Sequence, residues 1–218
     1  MYQPPHFRQI DTEDLFSFIA HHPLGLLISA GSAGLIANPL PFIVRRSKNE
    51  NGTDCLLAHI ARANAQWKAI DAGDEVLVSF MGSHHYITPN WYATKQDTGK
   101  VVPTWNYQTV QVRGKATIHQ DPDWLLKQLT ALTDQQEASE PRPWAVQDAP
   151  ESFVAAQMRG IVGIELEITA IEGKRKVSQN RTAADYNGVI AGLDAKGTQT
   201  AADMAALVRK ATADKPDV

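Results

Sequence analysis

Four short segments of the 218-residue chain concentrate side chains that could do chemistry. The first is Ala58-His59-Ile60-Ala61-Arg62-Ala63-Asn64-Ala65-Gln66-Trp67-Lys68, where an apolar strand gives way to a helix-like stretch. His59, Arg62, Asn64 and Lys68 all offer N–H donors at that junction. A helix start adds free backbone N–H groups and a positive dipole end, and a guanidinium forks onto phosphate oxygens. The pattern therefore points to a phosphate-bearing ligand, although a solvated turn with an ordinary Arg and Lys has the same composition.

The second segment, Gly82-Ser83-His84-His85-Tyr86-Ile87-Thr88-Pro89-Asn90-Trp91-Tyr92, mixes aromatic and imidazole rings with small polar residues. Zinc sites favour His pairs four apart or Cys partners, and no acid or Cys stands near His84 and His85, so stacking on a planar ligand fits better than metal binding. In the third, Trp105-Asn106-Tyr107 opens a strand. Two flat side chains around an amide suit the wall of a pocket for a heteroaromatic ring, or else a pair of core aromatics. The fourth, Glu172 to Arg181, holds Lys174, Arg175, Lys176 and Arg181 with the amides Gln179 and Asn180, either a solvated basic turn or a second anion-binding segment.

Other chemistries lack their residues. There is no Gly-x-Ser-x-Gly elbow, no P-loop and no dinucleotide fingerprint. Cys55, the one cysteine, lies in the apolar run Cys55-Leu56-Leu57 and reads as an inert core thiol. Glu165 and Glu167 read as outward-facing solubility residues.

The elements that must position these groups are mainly strands. Helix signals cover Asp11 to His22, ended by Pro23, then a short stretch around Ala63 to Ile70, Asp121 to Glu137, Ser152 to Arg159 and Thr200 to Ala211. In the long helix, Trp124 and Leu129 are candidate core residues. Strand signals cover Leu24 to Ser29, Leu35 to Val44 with breaks at Pro39 and Pro41, Cys55 to Ile60, Glu75 to Phe80, Tyr86 to Tyr92, Thr104 to Ile118 and Ile161 to Ile171. Gly31 to Gly34, Ser47 to Gly52 and Asp194 to Gln199 read as turns, Glu140 to Pro150 as a loop, and Asp214 to Val218 as a frayed end. Regular βαβ alternation is absent, which favours an antiparallel barrel with added helices over a Rossmann sheet. The expected division is a domain over 1–193 and a C-terminal helix and tail over 194–218.

Composition narrows the function classes. Lys plus Arg is 21 and Asp plus Glu is 24, a formal net charge of −3, with 43% hydrophobic residues. That apolar content excludes a wholly disordered chain, and one cysteine excludes an internal disulfide framework. A slightly acidic chain gives no support to a phosphate-backbone binder such as a DNA-binding domain. No apolar run approaches the roughly 20 residues of a membrane span, and no signal peptide is visible, so a cytoplasmic location is expected.

Taken in order, Met1-Tyr2-x-Pro4-x-x-Phe7, His59-x-Ala61-Arg62-Ala63-Asn64-x-Gln66-Trp67, Tyr86-Ile87-x-Pro89-x-Trp91-Tyr92, Val102-Pro103-Thr104-Trp105-Asn106-Tyr107 and Lys176-x-Ser178-Gln179-Asn180-Arg181 resemble the PaiB-type family of FMN-binding negative transcriptional regulators. The resemblance implies a split β-barrel of the pyridoxamine-phosphate-oxidase and flavin-reductase kind. It further implies a homodimer with FMN in clefts at the subunit interface. It assigns Arg62 and Asn64 to the FMN phosphate with His59 and Lys68 nearby, and Trp105, Asn106 and Tyr107 to the isoalloxazine border. Lys176, Gln179, Asn180 and Arg181 would close the site. A regulator implies DNA as a partner, for which Lys174 to Lys176 is a weak basic stripe. The alternatives are a flavin-dependent oxidoreductase, with His84, His85 or Tyr92 on its substrate side, and a haem-binding member of the same fold.

Overall fold

The computed structural model describes residues 1–31, 34–49, 52–70 and 75–213. Residues Ser32, Ala33, Glu50 and Asn51 of the expected turns, and the expected frayed end Asp214–Val218, lie outside them. Eight strands are found among the described residues: β1 (Arg8–Gln9), β2 (Leu24–Gly31), β3 (Gly34–Pro41), β4 (Ile43–Arg45), β5 (Cys55–Ala61), β6 (Glu75–Ile87), β7 (Thr104–His119) and β8 (Ile161–Lys176). The helices are α1 (Thr12–His21), α2 (Gln66–Ala69), α3 (Thr94–Thr98), α4 (Pro122–Glu137), α5 (Glu151–Met158), α6 (Ala183–Asp194) and α7 (Gln199–Thr212). The strands run in the order β3-β2-β6-β7-β8-β5-β4, with β1 added to β8. The pairings of β2 with β3 and β6, of β4 with β5, and of β5 and β1 with β8 are antiparallel.

The chain forms two compact units. One comprises Met1–Asp11, Met81–Val110 and Glu172–Val218, and the other Thr12–Phe80 and Gln111–Ile171. We refer to them as the terminal unit and the central unit. Strands β6, β7 and β8 contribute residues to both.

The central unit follows from strand alternation. In β5 Leu56, Ala58 and Ile60 point one way and are 2% exposed or less, as are Val162, Ile164 and Leu166 of β8. Full burial of each Val, Leu or Ile among them contributes roughly 1.5–3 kcal/mol. The opposite face of β5 is covered by α4, where Ile43, Cys55 and Leu57 meet Trp124 and Leu132. Gly163 permits this approach: a Cβ there would lie 2.1 Å from the Trp124 ring. Asp121 caps α4 by accepting from the Trp124 N–H at 2.9 Å. The residues α4 buries are Leu125 and Gln128, while Trp124 and Leu129 are only half-buried, because the helix lies on the outside of the sheet.

The terminal unit has its own core. Ile87, Tyr92 and Val177 pack with Tyr186, Val189 and Leu193 of α6 and Met204 and Val208 of α7. Helix α6 was not expected from the sequence. Thr182 caps it, its hydroxyl accepting from the Asp185 N–H at 3.3 Å, and Gly188 and Gly192 leave room for Trp91, whose ring a Cβ at Gly192 would strike at 2.3 Å. Helix α7 belongs to the same unit.

Three expected boundaries moved. Glu75–Phe80 and the start of Tyr86–Tyr92 are one strand, β6, and Pro89–Trp91 is a 3-10 turn. Strand β8 runs on to Lys176 because β1 pairs with it, Arg8 opposite Lys174 and Gln9 opposite Gly173. The helix expected from Ala63 is a single turn beginning at Gln66.

Candidate functional site

In the central unit, the junction after β5 is held by its own side chains. The Arg62 guanidinium donates through Nε to the Arg159 carbonyl at 2.8 Å, through Nη1 to Gln120 Oε1 at 2.7 Å and through Nη2 to the Ile161 carbonyl at 3.0 Å. All three nitrogens are engaged inside the protein, so Arg62 clamps the start of β8. The carbonyl of Arg62 in turn accepts from the Trp67 indole N–H at 2.9 Å. Asn64 Oδ1 accepts from the Gln66 N–H at 2.9 Å, an Asx-type turn that starts α2 where the backbone would otherwise continue extended. Gln66 is fully buried: its Nε2 donates toward the Leu27 carbonyl and Ser29 Oγ, both at 3.1 Å, and its Oε1 accepts from Asn38 at 2.8 Å. Sequence reasoning passed over Gln66 as a site residue; its contacts lie 28 to 39 residues away and leave no local signal.

His59 is half-buried, with Nδ1 2.9 Å from Gln128 Oε1 on α4. Lys68 is exposed, its ammonium 5.5 Å from the Trp67 ring centroid. The segment thus presents Lys68 and the outer side of Asn64 from a rigidly tied loop.

Nearby in the same unit, charges are matched. Arg45 pairs with Glu165 through both terminal nitrogens, and Glu165 also takes the Trp124 indole N–H at 3.3 Å and lies 3.3 Å from His119 Nε2. Burial pushes the Glu165 carboxyl up, but Arg45, Trp124 and His119 together hold it below its ordinary value. Glu165 is therefore a structural anchor and not a solubility residue. Cys55 is 3% exposed beside this pair; burial raises its thiol pKa against the pull of Arg45, in keeping with an inert thiol. Arg46 pairs with Glu13 at 2.9 Å and Asp54 at 3.2 Å.

The terminal unit brings together the other expected residues. On β7, side chains alternate: Trp105 is 51% exposed, Asn106 is 0% exposed and Tyr107 is half-buried. Asn106 is taken up by the core, donating to Ser178 Oγ at 2.9 Å and accepting from it at 3.3 Å. Ser178 adopts φ +64°, a left-handed conformation that the Asn106 bonds hold in place. Gln179 is likewise spent on the backbone, accepting from the Val177 N–H at 2.7 Å and donating to the His6 carbonyl at 2.9 Å. Asn106 and Gln179 thus shape the loop and do not present free amides, whereas Asn180 is exposed.

The cations of this unit crowd one another. Lys174 lies 5.4 Å from the ring centroids of both Tyr2 and Tyr107. Lys176 donates to Thr104 Oγ1. Arg181 sits 4.5 Å over the Tyr92 ring. Burial, then the charges of Lys174 and Arg181, push the Lys176 ammonium below its ordinary pKa against the attraction of Tyr107. Arg175 Nε is buried with no hydrogen-bond partner among the described residues. Glu172 is taken by the amino group of Met1 at 2.8 Å, and Asp194 by Arg209.

Beside Trp105 stand His84, its ring centroid 5.6 Å away, and Tyr86, edge-on at 6.2 Å. His85 faces Trp91 at 6.3 Å. No cluster of three His, Cys, Asp or Glu suited to a metal occurs among the described residues. No described helix is long and apolar enough to cross a membrane.

These donors fit a flat ring carrying a phosphate: exposed aromatic faces, an excess of uncompensated cations and an unpaired buried guanidinium N–H. The fold defines the class. Flavocytochrome Anf3 from Azotobacter vinelandii superposes with a TM-score of 0.55 at 14% identity over 78% of this chain and 69% of that one. The FAD and heme binding protein from Mycobacterium smegmatis does so with a TM-score of 0.54 at 16% identity over 78% and 73%. The fold is the split β-barrel, an antiparallel sheet with added helices, that these structures share.

Residues 1–170 match the family described as "Putative FMN-binding domain". The chain is 30% identical over 208 residues to the Bacillus subtilis Protease synthase and sporulation protein PAI 2, covering 95% of this chain and 96% of that protein. It is 36% identical over 229 residues to the Emericella nidulans protein AN0679, covering 90% and 91%. The chain belongs to this PaiB-type FMN-binding family, and its cofactor is FMN.

Proposed function

We propose that the protein is a cytoplasmic homodimer that holds FMN and serves a regulatory role of the PaiB type. The observation that carries the dimer is one sheet face of the central unit. Across β2 and β3, Leu24, Leu26, Ile28 and Ala30 stand opposite Pro41, Pro39, Ala37 and Leu35, and β6 adds Leu77 and Ser79 beside Ile28 and Leu26. None of these is charged, and Leu24 and Leu35 are 65% and 80% exposed. A contiguous apolar sheet face of this kind on a globular protein marks an interface, and a face without charge holds no like charges to repel when a two-fold axis sets it against its own copy.

The flavin candidates form one set in each unit: in the central unit, the tied loop after β5 offers Lys68 and Asn64 to a phosphate, with His59 at the end of the strand before it and Arg62 holding the loop. In the terminal unit, Trp105 and Tyr107 are the candidates to border the isoalloxazine. Lys176 and Arg181, with Asn180, lie against its polar edge, and Asn106 and Gln179 keep their loop in shape. FMN when bound supplies a redox-active ring; the cations of this chain would favour its electron-rich forms.

Light scattering on the purified protein, with its visible spectrum, tests the reading. The expected result is a yellow dimer, and Leu26→Lys should give a monomer with most of its flavin lost. A monomeric wild type would refute the dimer. A second reading, a flavin-dependent oxidoreductase, is favoured by the cleft beside Trp105. Anaerobic bleaching by NAD(P)H that depends on a second substrate would select it, and no DNA shift at low salt would rule out a direct repressor.

A further inference from the structure

That cleft belongs entirely to the terminal unit and encloses about 400 Å³, room for a small organic molecule. His84, His85, Tyr86 and Trp105 line one side of it and Thr200 and Asp203 of α7 the other. Trp105 and Tyr86 are 51% and 45% exposed, so their rings are presented to the cleft and not spent in the core. Tyr86 meets Trp105 edge-on, an arrangement that leaves the electron-rich face of one ring uncovered.

Asp203 is the one carboxylate lining the cleft. Its Oδ1 accepts from Gln199 Nε2 at 2.7 Å, which fixes the carboxylate one turn along α7. Its Oδ2 has no partner among the described residues. No Lys or Arg lines the cleft. Indole and phenol faces attract cations through their quadrupole, and a neighbouring carboxylate adds a charge of the same sense. An anion would meet a carboxylate and negative ring faces, and a neutral ligand would gain nothing from the charge of Asp203, which is exposed at the cleft.

We propose that this cleft is a subsite for a small organic ammonium ion, the aromatic wall taking its carbon body and Asp203 its charge. The proposal rests on the FMN reading in one respect: Trp105 would be the wall shared by the flavin and this ligand. It names the class of second ligand that either a flavin-dependent reaction or a ligand-sensing regulator would use.

Calorimetric titration of the purified protein with benzylammonium, benzyl alcohol and benzoate tests it, since the three share a ring and differ in charge. Benzylammonium should bind about 10-fold or more tighter than the alcohol, and benzoate most weakly. Asp203→Asn should abolish the preference for the amine, and Asp203→Glu should keep most of it. Flavin absorbance and melting temperature should be unchanged in both variants, which separates this subsite from the FMN site. Equal binding of amine and alcohol, or a preference that survives Asp203→Asn, would overturn the proposal. Loss of FMN from a folded Asp203→Asn protein would also overturn it, by placing Asp203 in the flavin site. Failure of the FMN assignment itself would show instead as colourless wild-type protein.

Discussion

The two units treat positive charge in opposite ways. In the central unit each arginine near the junction is answered: Arg45 by Glu165, Arg46 by Glu13 and Asp54, Arg62 by two carbonyls and an amide. In the terminal unit Lys174, Lys176 and Arg181 rest on aromatic rings and a hydroxyl. Matched charges hold a fold together and are costly to break from one side. Crowded like charges with no acid in ion-pair contact are a cost to the folded chain that an anionic ligand relieves. The first pattern is scaffold, and the second is what a ligand site looks like before the ligand is counted.

Arg62→Ala attacks the scaffold most directly. It removes three charged hydrogen bonds, of which the one to the Ile161 carbonyl is part-buried, and should cost about 3 kcal/mol, since such bonds are worth roughly 1.5–3 kcal/mol each and less where water can replace them. At this chain length that lowers the melting temperature by roughly 6–12 °C. FMN affinity should fall about 10- to 100-fold with it as the loop loosens, and riboflavin affinity should fall in step. Arg62→Lys should not rescue, because an ammonium cannot reach three acceptors at once. If FMN is lost while riboflavin binding and the melting temperature hold, Arg62 touches the phosphate and the contrast between the units weakens.

Glu165→Gln is the next largest break, at about 1 kcal/mol, because it removes the charge and sets an NH2 group among the Arg45, Trp124 and His119 donors, with Arg45 itself exposed. Its pH dependence has a definite sign. A carboxyl held below its ordinary value of 4.5 stabilises the fold above that value, and the contribution is lost as pH falls through the folded-state pKa. The variant's melting temperature should therefore approach that of wild type on acidification. A gap that persists in acid would mean the residue matters for packing and not for charge.

The ligand side of the contrast is sharpened by comparing FMN with riboflavin, which lacks the phosphate. Lys68→Ala should cut FMN affinity about 10-fold and leave riboflavin unchanged, as for one charge-assisted phosphate contact. Lys176→Met should weaken both flavins alike if it lies at the ring's polar edge. The reverse pattern would move the phosphate to the terminal unit. Fluorescence quenching titrations read both ratios.

Much of the scaffold was legible because short-range periodicity records it. The alternation Ile164, Leu166, Ile168 marked β8, and Asp121 before Pro122 marked the start of α4. The end of β8 was not legible, because what carries it through to Lys176 is β1, more than 160 residues away in the chain. Helix α6 carries Tyr186, Val189 and Leu193 at helical spacing, but Gly188 and Gly192 lower its helical propensity, and their reason is Trp91, far away in the chain. At the site, residue type pointed to phosphate and ring chemistry but not to which groups are free. Asn106 looked like a pocket amide, yet its partner Ser178 lies 72 residues on and removes it from the surface. Arg62 reads as a phosphate fork from its type, and its bonds to the Arg159 and Ile161 carbonyls and to Gln120 add a scaffold role that no local pattern announces. Donor chemistry is local in sequence, whereas the availability of a donor is a tertiary fact.

The smallest expected effect is also the cleanest probe of uncompensated charge. Lys176 titrates from 10.5 in an unfolded chain and lower in the folded one. Between those two values the unfolded state holds the extra proton, so stability rises with pH across that window. The cost of burying the ammonium is present in full below the folded-state pKa and disappears as pH passes above it. Chemical denaturation of FMN-free protein on the alkaline side of neutrality should show this rise, and Lys176→Met should flatten it. Saturating FMN should flatten it too, because a bound anion beside the ammonium restores its affinity for the proton. A rise that FMN leaves untouched would place the flavin away from Lys176, and the terminal unit's charge excess would then need another anion to answer it.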